Sequence, residues 1–159
     1  STGAAAHNHA PPPAIHVGAS ELPFVEIGGG SKLKVIHVRR GEGLWIIENV
    51  FQAGYEVQTH KHTGTVFAFT QSGSWKYAEY PEVNTAGSYL YEPAGSTHTL
   101  IVPETNTEVT DVWFAITGAN LNLDADGNVE MVIDAGAVLE FYVAMCAAEG
   151  KTDLPIIGA

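Results

Sequence analysis

From residue 22 onward, short apolar runs alternate with clusters of glycine, proline and acidic residues. Residues 22–27, 33–38 and 44–51 are rich in Val, Ile, Leu and aromatics, and Gly28-Gly29-Gly30 and Gly41-Glu42-Gly43 separate them. Runs of this length and β-branched content, bounded by turn residues, predict strands. The rhythm continues at 56–62, 66–71, 75–80, 88–92, 98–102 and 108–117. Many short strands with turn residues between them predict an all-β architecture, a sandwich or jelly-roll barrel. Asp126-Gly127 marks a hairpin turn. Residues 135–149 carry the helix formers and apolar spacing of an amphipathic C-terminal helix, closed by Gly150, that covers one side of the barrel or a partner subunit.

Residues 1–14 break from this pattern, with an Ala run, His7-Asn8-His9 and Pro11-Pro12-Pro13 and no amphipathic period. They read as a flexible or extended arm. The expected organisation is an arm over 1–21 and a single domain over 22–159. Nothing near His7 and His9 in the sequence would hold them as metal ligands.

Charge and composition narrow the function. Seven Lys/Arg against 18 Asp/Glu give a net charge of −11, with no basic cluster. Nucleic acid and anionic membrane surfaces are therefore not expected as partners. A single cysteine, Cys146, rules out an intrachain disulfide and a cysteine-rich zinc site, and it suits a reducing cytoplasm. No apolar run approaches the roughly 20 residues of a membrane span, and the N-terminus lacks a signal-peptide pattern, so a cytoplasmic location is expected. Gly28-Gly29-Gly30-Ser31-Lys32 lacks the spacing of a phosphate-binding loop. Residues 122–128 imitate the start of a calcium-binding loop, but Ile133 stands where the bidentate Glu would be. His37 lies in an apolar run and reads as a structural histidine.

The candidate chemistry lies at His60-Lys61-His62 and His98. Successive side chains on a strand point to opposite faces, so His60 and His62 share one side. His98 follows a turn marked by Pro93 and Gly95, and if both strands line one barrel the three imidazoles converge on a metal. Neutral imidazoles suit Fe, Zn, Cu, Ni or Mn and leave the ion its full charge. Such a centre could activate an enolate-like substrate beside dioxygen, or hold a hydrolytic zinc-bound water, and ligand type alone does not choose. Pairing about Ser72-Gly73 puts Glu79 opposite Val66, about 5 Å away between Cβ atoms. Glu79 is therefore a candidate carboxylate ligand or base. Glu92 is a second, with Tyr89 and Tyr91 facing away from it.

These segments resemble the paired motifs of the cupin superfamily. Gly54, His60, His62 and Gly73 fall in register with the first motif, and Gly87, Pro93, Gly95 and His98 with the second. Val66 replaces the Glu of the first motif and Val102 the closing Asn of the second. Residues 59–80 and 91–98 are similar to the dihydroxyacetophenone dioxygenase group, relatives of the acetylacetone-cleaving dioxygenases. The resemblance implies a cupin jelly-roll β-barrel and a non-haem Fe(II) held by His60, His62 and His98, with Zn, Ni or Mn as other candidates. It implies cleavage of a carbon–carbon bond of a hydroxyketone or β-diketone by dioxygen, through a metal-chelated enolate, with Glu79 or Glu92 as base. Val66, Trp75, Tyr77 and Phe114 are expected to line the substrate pocket. A homodimer is expected, since such barrels pair through edge strands or exchanged arms. The competing readings are a non-catalytic cupin that binds a metal or small molecule, and a metal-dependent isomerase or hydrolase.

Overall fold

The computed structural model describes residues 10–159, so the His7-Asn8-His9 pair lies outside the described residues. One sheet contains β1 (Val25–Gly28), β2 (Ser31–Arg39), β3 (Leu44–Phe51), β5 (Val66–Ser72), β8 (Tyr89–Glu92) and β10 (Thr110–Thr117). The other contains β4 (Glu56–His62), β6 (Ser74–Tyr77), β7 (Asn84–Thr85), β9 (Thr97–Ile101), β11 (Asn120–Leu123) and β12 (Val129–Ile133). Helix α1 spans Ala135–Ala148. The strand orders are β1-β2-β3-β10-β5-β8 and β12-β11-β4-β9-β6-β7, and the pairings are antiparallel. This is the jelly roll that the strand rhythm predicts, built as two facing sheets that remain separate ladders.

Alternation decides what faces the interior. Along β10, Thr110, Val112, Phe114 and Ile116 are buried while the residues between them are half-buried. The pleat sends every second side chain inward, and each large apolar one buried contributes about 1.5–3 kcal/mol. Val35, Trp45, Phe51, Val66 and Trp75 join them in the core.

The expected hairpin of 66–71 with 75–80 does not form. β5 pairs with β10 and β8, whereas β6 crosses into the other sheet and pairs with β9. Gly73 makes the crossing at φ +73°, passing so close to β10 that a Cβ there would lie 2.2 Å from Thr110 Oγ1. β6 ends at Tyr77, and a turn from Tyr77 to Tyr80 closes with Tyr80 N donating to the Tyr77 carbonyl.

Helix α1 begins at Asp134, whose side chain accepts from Ala137 N at 2.8 Å, and Gly150 follows it at φ +74°. Ala135, Val138, Leu139, Tyr142 and Cys146 form its buried stripe. The amphipathic expectation is corrected on the other face, where Phe141 and Val143 are exposed. The helix is apolar nearly all round. It packs on β1, β2 and β12, and Tyr142 donates from its hydroxyl to the Pro23 carbonyl. Among the described residues, no helix is long and apolar enough to cross a membrane.

Candidate metal centre

His60 and His98 are cross-strand partners in the β4–β9 ladder, and His62 lies two residues along β4 on the same face. All three are buried, and one nitrogen of each lies within 4.8 Å of the others. β4 does not alternate throughout. A bulge between Val57 and His60 inserts one extra residue, so Val57 and His60 both line the inner cavity although an odd number of positions separates them. The turn before β9 grips His62 from one side: His62 N donates to the Ser96 carbonyl at 2.9 Å, and Gly95 N donates to the His62 carbonyl at 2.7 Å.

The rings are held by different means. His60 Nδ1 lies 2.7 Å from the Gln58 carbonyl; an acceptor there places the proton on Nδ1 and leaves Nε2 free as a ligand. His98 stacks on Tyr77, with centroids 3.7 Å apart and planes 17° from parallel. His62 Nε2 and His98 Nε2 are 3.0 Å apart.

Glu92 completes the cluster. Its two carboxyl oxygens lie 3.1 Å from His62 Nε2 and 3.2 Å from His98 Nε2. At these distances the angles miss hydrogen-bond geometry, and both oxygens are buried without a partner. Burial holds the Glu92 carboxyl up at about 8. Burial first, and the neighbouring imidazoles second, hold His62 down at about 4 and His98 at about 3. His60 is lowered by burial too, opposed by the Gln58 carbonyl and the charge of Glu79. Burial therefore favours the uncharged form of all four groups. Converging nitrogens and unpartnered buried oxygens are the donor set that a divalent cation satisfies, and the residues fit a first-row metal ion.

Two cavities meet here. The inner one, roughly 70 Å³, lies between the sheets and is lined by His60, His62, Glu92, Tyr77 and Phe114 together with apolar side chains of β3, β9 and β10. The outer one, about 180 Å³, touches His98 and the other side of Glu92 and is walled by Tyr77, Tyr80, Tyr91 and Ser96.

The structure brings together His60, His62, His98 and Glu92, while Tyr89 and Tyr91 are exposed to solvent, Tyr91 at the wall of the outer cavity. Glu79 is not among them. It is exposed, and its carboxylate accepts from Thr99 N at 2.7 Å. The proposed pairing fails because β6 belongs to the other sheet, and the residue opposite Val66 on the adjoining strand is Glu92. Of the four expected pocket residues, Tyr77 and Phe114 line the inner cavity, whereas Val66 and Trp75 do not. Val66 is sealed in the core, and Trp75 turns its indole to donate to Thr70 Oγ1 at 2.9 Å. Sequence reasoning missed Ile47, Asn49, Phe51 and Leu100 as cavity walls. The strand runs that contain them were visible, but not which sheet each joins.

Comparison with known proteins agrees with this fold. The model of the ChrR cupin-like domain family matches residues 12–119. A protein of unknown function with a cupin-like fold from Ralstonia eutropha is 32% identical, with 89% of this chain and 90% of that chain covered and a TM-score of 0.82. An RmlC-like cupin from the same organism is 27% identical, with 89% of this chain and 94% of that chain covered and a TM-score of 0.83. An acetylacetone dioxygenase from Acinetobacter johnsonii shares the fold at 17% identity, covering 86% of this chain and 95% of that chain, with a TM-score of 0.73. No curated protein matches the sequence.

Proposed function

The chain belongs to the ChrR cupin-like domain family, and from that premise we propose that it is a non-haem Fe(II) dioxygenase. In this reading it cleaves a carbon–carbon bond of a hydroxyketone or β-diketone, with His60, His62 and His98 as ligands and Glu92 as base. The observation that carries the proposal is the carboxyl of Glu92, buried without a hydrogen bond against two of three converging imidazoles. Held by three neutral nitrogens, the metal would keep its full positive charge and favour the enolate form of a chelating ketone.

The chain's own residues supply the rest. Glu92, ionised once a cation lies beside it, takes the proton whose loss makes the enolate. Gln58 and Tyr77 fix the rings of His60 and His98. Phe114, Leu100 and Ile47 keep the inner cavity apolar and exclude bulk water. At roughly 70 Å³ the inner cavity is less than half the size of the outer one, about 180 Å³, so the bulk of a ketone lies in the outer cavity. The likeness to the acetylacetone dioxygenase supports the reading. A non-catalytic cupin that binds metal or a small molecule is the second reading, favoured by the small size of that inner cavity.

The same proposal takes a small ketone and dioxygen as partners and a homodimer as the assembled form, supported by exposed Val129, Met131 and Val132 on edge strand β12. Light scattering that gives a monomer removes the dimer. The enzyme is tested by loading anaerobically purified protein with Fe(II) and following dissolved oxygen on adding β-diketones and 2-hydroxyacetophenones. Iron-dependent uptake with cleavage products is the expected result. Bound iron without uptake on any of the panel favours the binding protein, and a preference for Zn, Ni or Mn without uptake points to an isomerase or hydrolase.

A further inference from the structure

Asn120 faces His62 directly across the β11–β4 ladder. Cross-strand partners share a face and hold their Cβ atoms about 5 Å apart, so an inward His62 brings Asn120 inward with it. Asn120 Oδ1 and His62 Nδ1 are both buried, and neither has a hydrogen-bond partner. Two unsatisfied buried polar atoms on facing neighbours are a rare combination, since each costs about 1–3 kcal/mol when left alone. His60 meets the same need differently, through the Gln58 carbonyl on its own bulged strand.

The approach to Asn120 is rigidly built. Thr63 N donates to the Ala119 carbonyl at 2.9 Å, and Ala119 N donates to Thr63 Oγ1 at 2.8 Å. Gly118 N donates to the Gly43 carbonyl at 2.9 Å, and Trp45 Nε1 donates to the Gly118 carbonyl at 2.9 Å. These four bonds tie the start of β11 both to the end of β4 and to β3. Asn120 therefore has a fixed place beside His62, with its carboxamide oxygen buried and unpartnered.

We propose that Asn120 is the positioning residue of His62: its Oδ1 accepts from Nδ1–H, fixes the tautomer with Nε2 as the ligand nitrogen, and holds the ring plane toward the centre. The inference rests on the three-histidine reading. Removing a hydrogen-bond partner behind a ligating histidine typically weakens metal binding by about 10–100-fold.

The test compares Co(II) affinity, read from its visible absorption in competition with a chelator, in wild type, Asn120→Ala and Asn120→Asp. Asn120→Ala is expected to bind Co(II) about 10–100-fold more weakly, with the metal-free melting midpoint close to wild type. Asn120→Asp, which keeps the acceptor oxygen, is expected to restore the affinity. Wild-type affinity in Asn120→Ala, or equal weakening in both variants, overturns the positioning role while leaving the three-histidine reading intact. A wild-type protein that binds no Co(II) overturns that reading itself. Long-range ¹⁵N NMR on metal-free wild type reads the tautomer without any variant: the proton is expected on His62 Nδ1, and finding it on Nε2 overturns the proposal.

Discussion

Glu92 stands directly opposite Val66 in the β5–β8 ladder. Val66 occupies the place where the first cupin motif has its glutamate, and the carboxyl that lies beside the histidines comes from the neighbouring strand. It approaches the same histidines from a different backbone position, with both oxygens near Nε2 atoms.

If Glu92 is the base, Glu92→Gln removes the proton acceptor and keeps the volume. Oxygen uptake should fall by about 100-fold or more, while Fe(II) binding measured by calorimetry stays within about tenfold of wild type, since three imidazoles remain. Undiminished uptake in this variant assigns the base to another group.

His98→Ala deletes one of three ligands and the ring stacked on Tyr77. Iron content after loading and gel filtration should drop to background, and turnover with it. Either one surviving would remove His98 from the ligand set.

One pH effect should come from outside the centre. Glu48 is buried on the far face of its sheet, and burial together with the adjacent Asp111 raises its carboxyl to about 7, against the pull of Lys34 Nζ at 3.8 Å. The folded state thus keeps a proton that the unfolded chain releases near its ordinary value of 4.5. The contribution of Glu48 to stability should fall as pH rises from there through about 7, because over that window this carboxyl holds more of its proton in the native state than in the unfolded one. Glu48→Gln, which cannot ionise, should flatten this part of the profile. Urea midpoints at pH about 5 and about 8 in both proteins check it, and an unchanged slope in the variant would place the effect elsewhere.

Tyr142 joins the helix to the segment before β1 through its hydroxyl on the Pro23 carbonyl, and the ring is fully buried. Tyr142→Phe keeps the packing and strands that carbonyl, which costs about 1–3 kcal/mol. Chemical denaturation should show the loss with the slope unchanged, and a variant as stable as wild type would mean that water replaces the hydroxyl.

The local sequence determined a good deal of this protein by itself. Strand periodicity and turn residues are short-range properties, so β3 and β4 are legible with their ends, and α1 to within a residue. Alternation places His60 and His62 on one face, and Pro93 and Gly95 mark the turn that presents His98. Pairing is decided otherwise. A turn at Ser72-Gly73 looks the same whether the chain folds back as a hairpin or crosses between sheets, and in the fold β6 crosses while Gly73 passes close over β10. With β6 across, Glu79 lies in solvent, Val66 faces Glu92 on β8, and Glu92 is the acid beside the histidines. The bulge in β4 and the meeting of Asn120 with His62 have the same origin, for each depends on which strand lies alongside, and that is settled by packing the two sheets together.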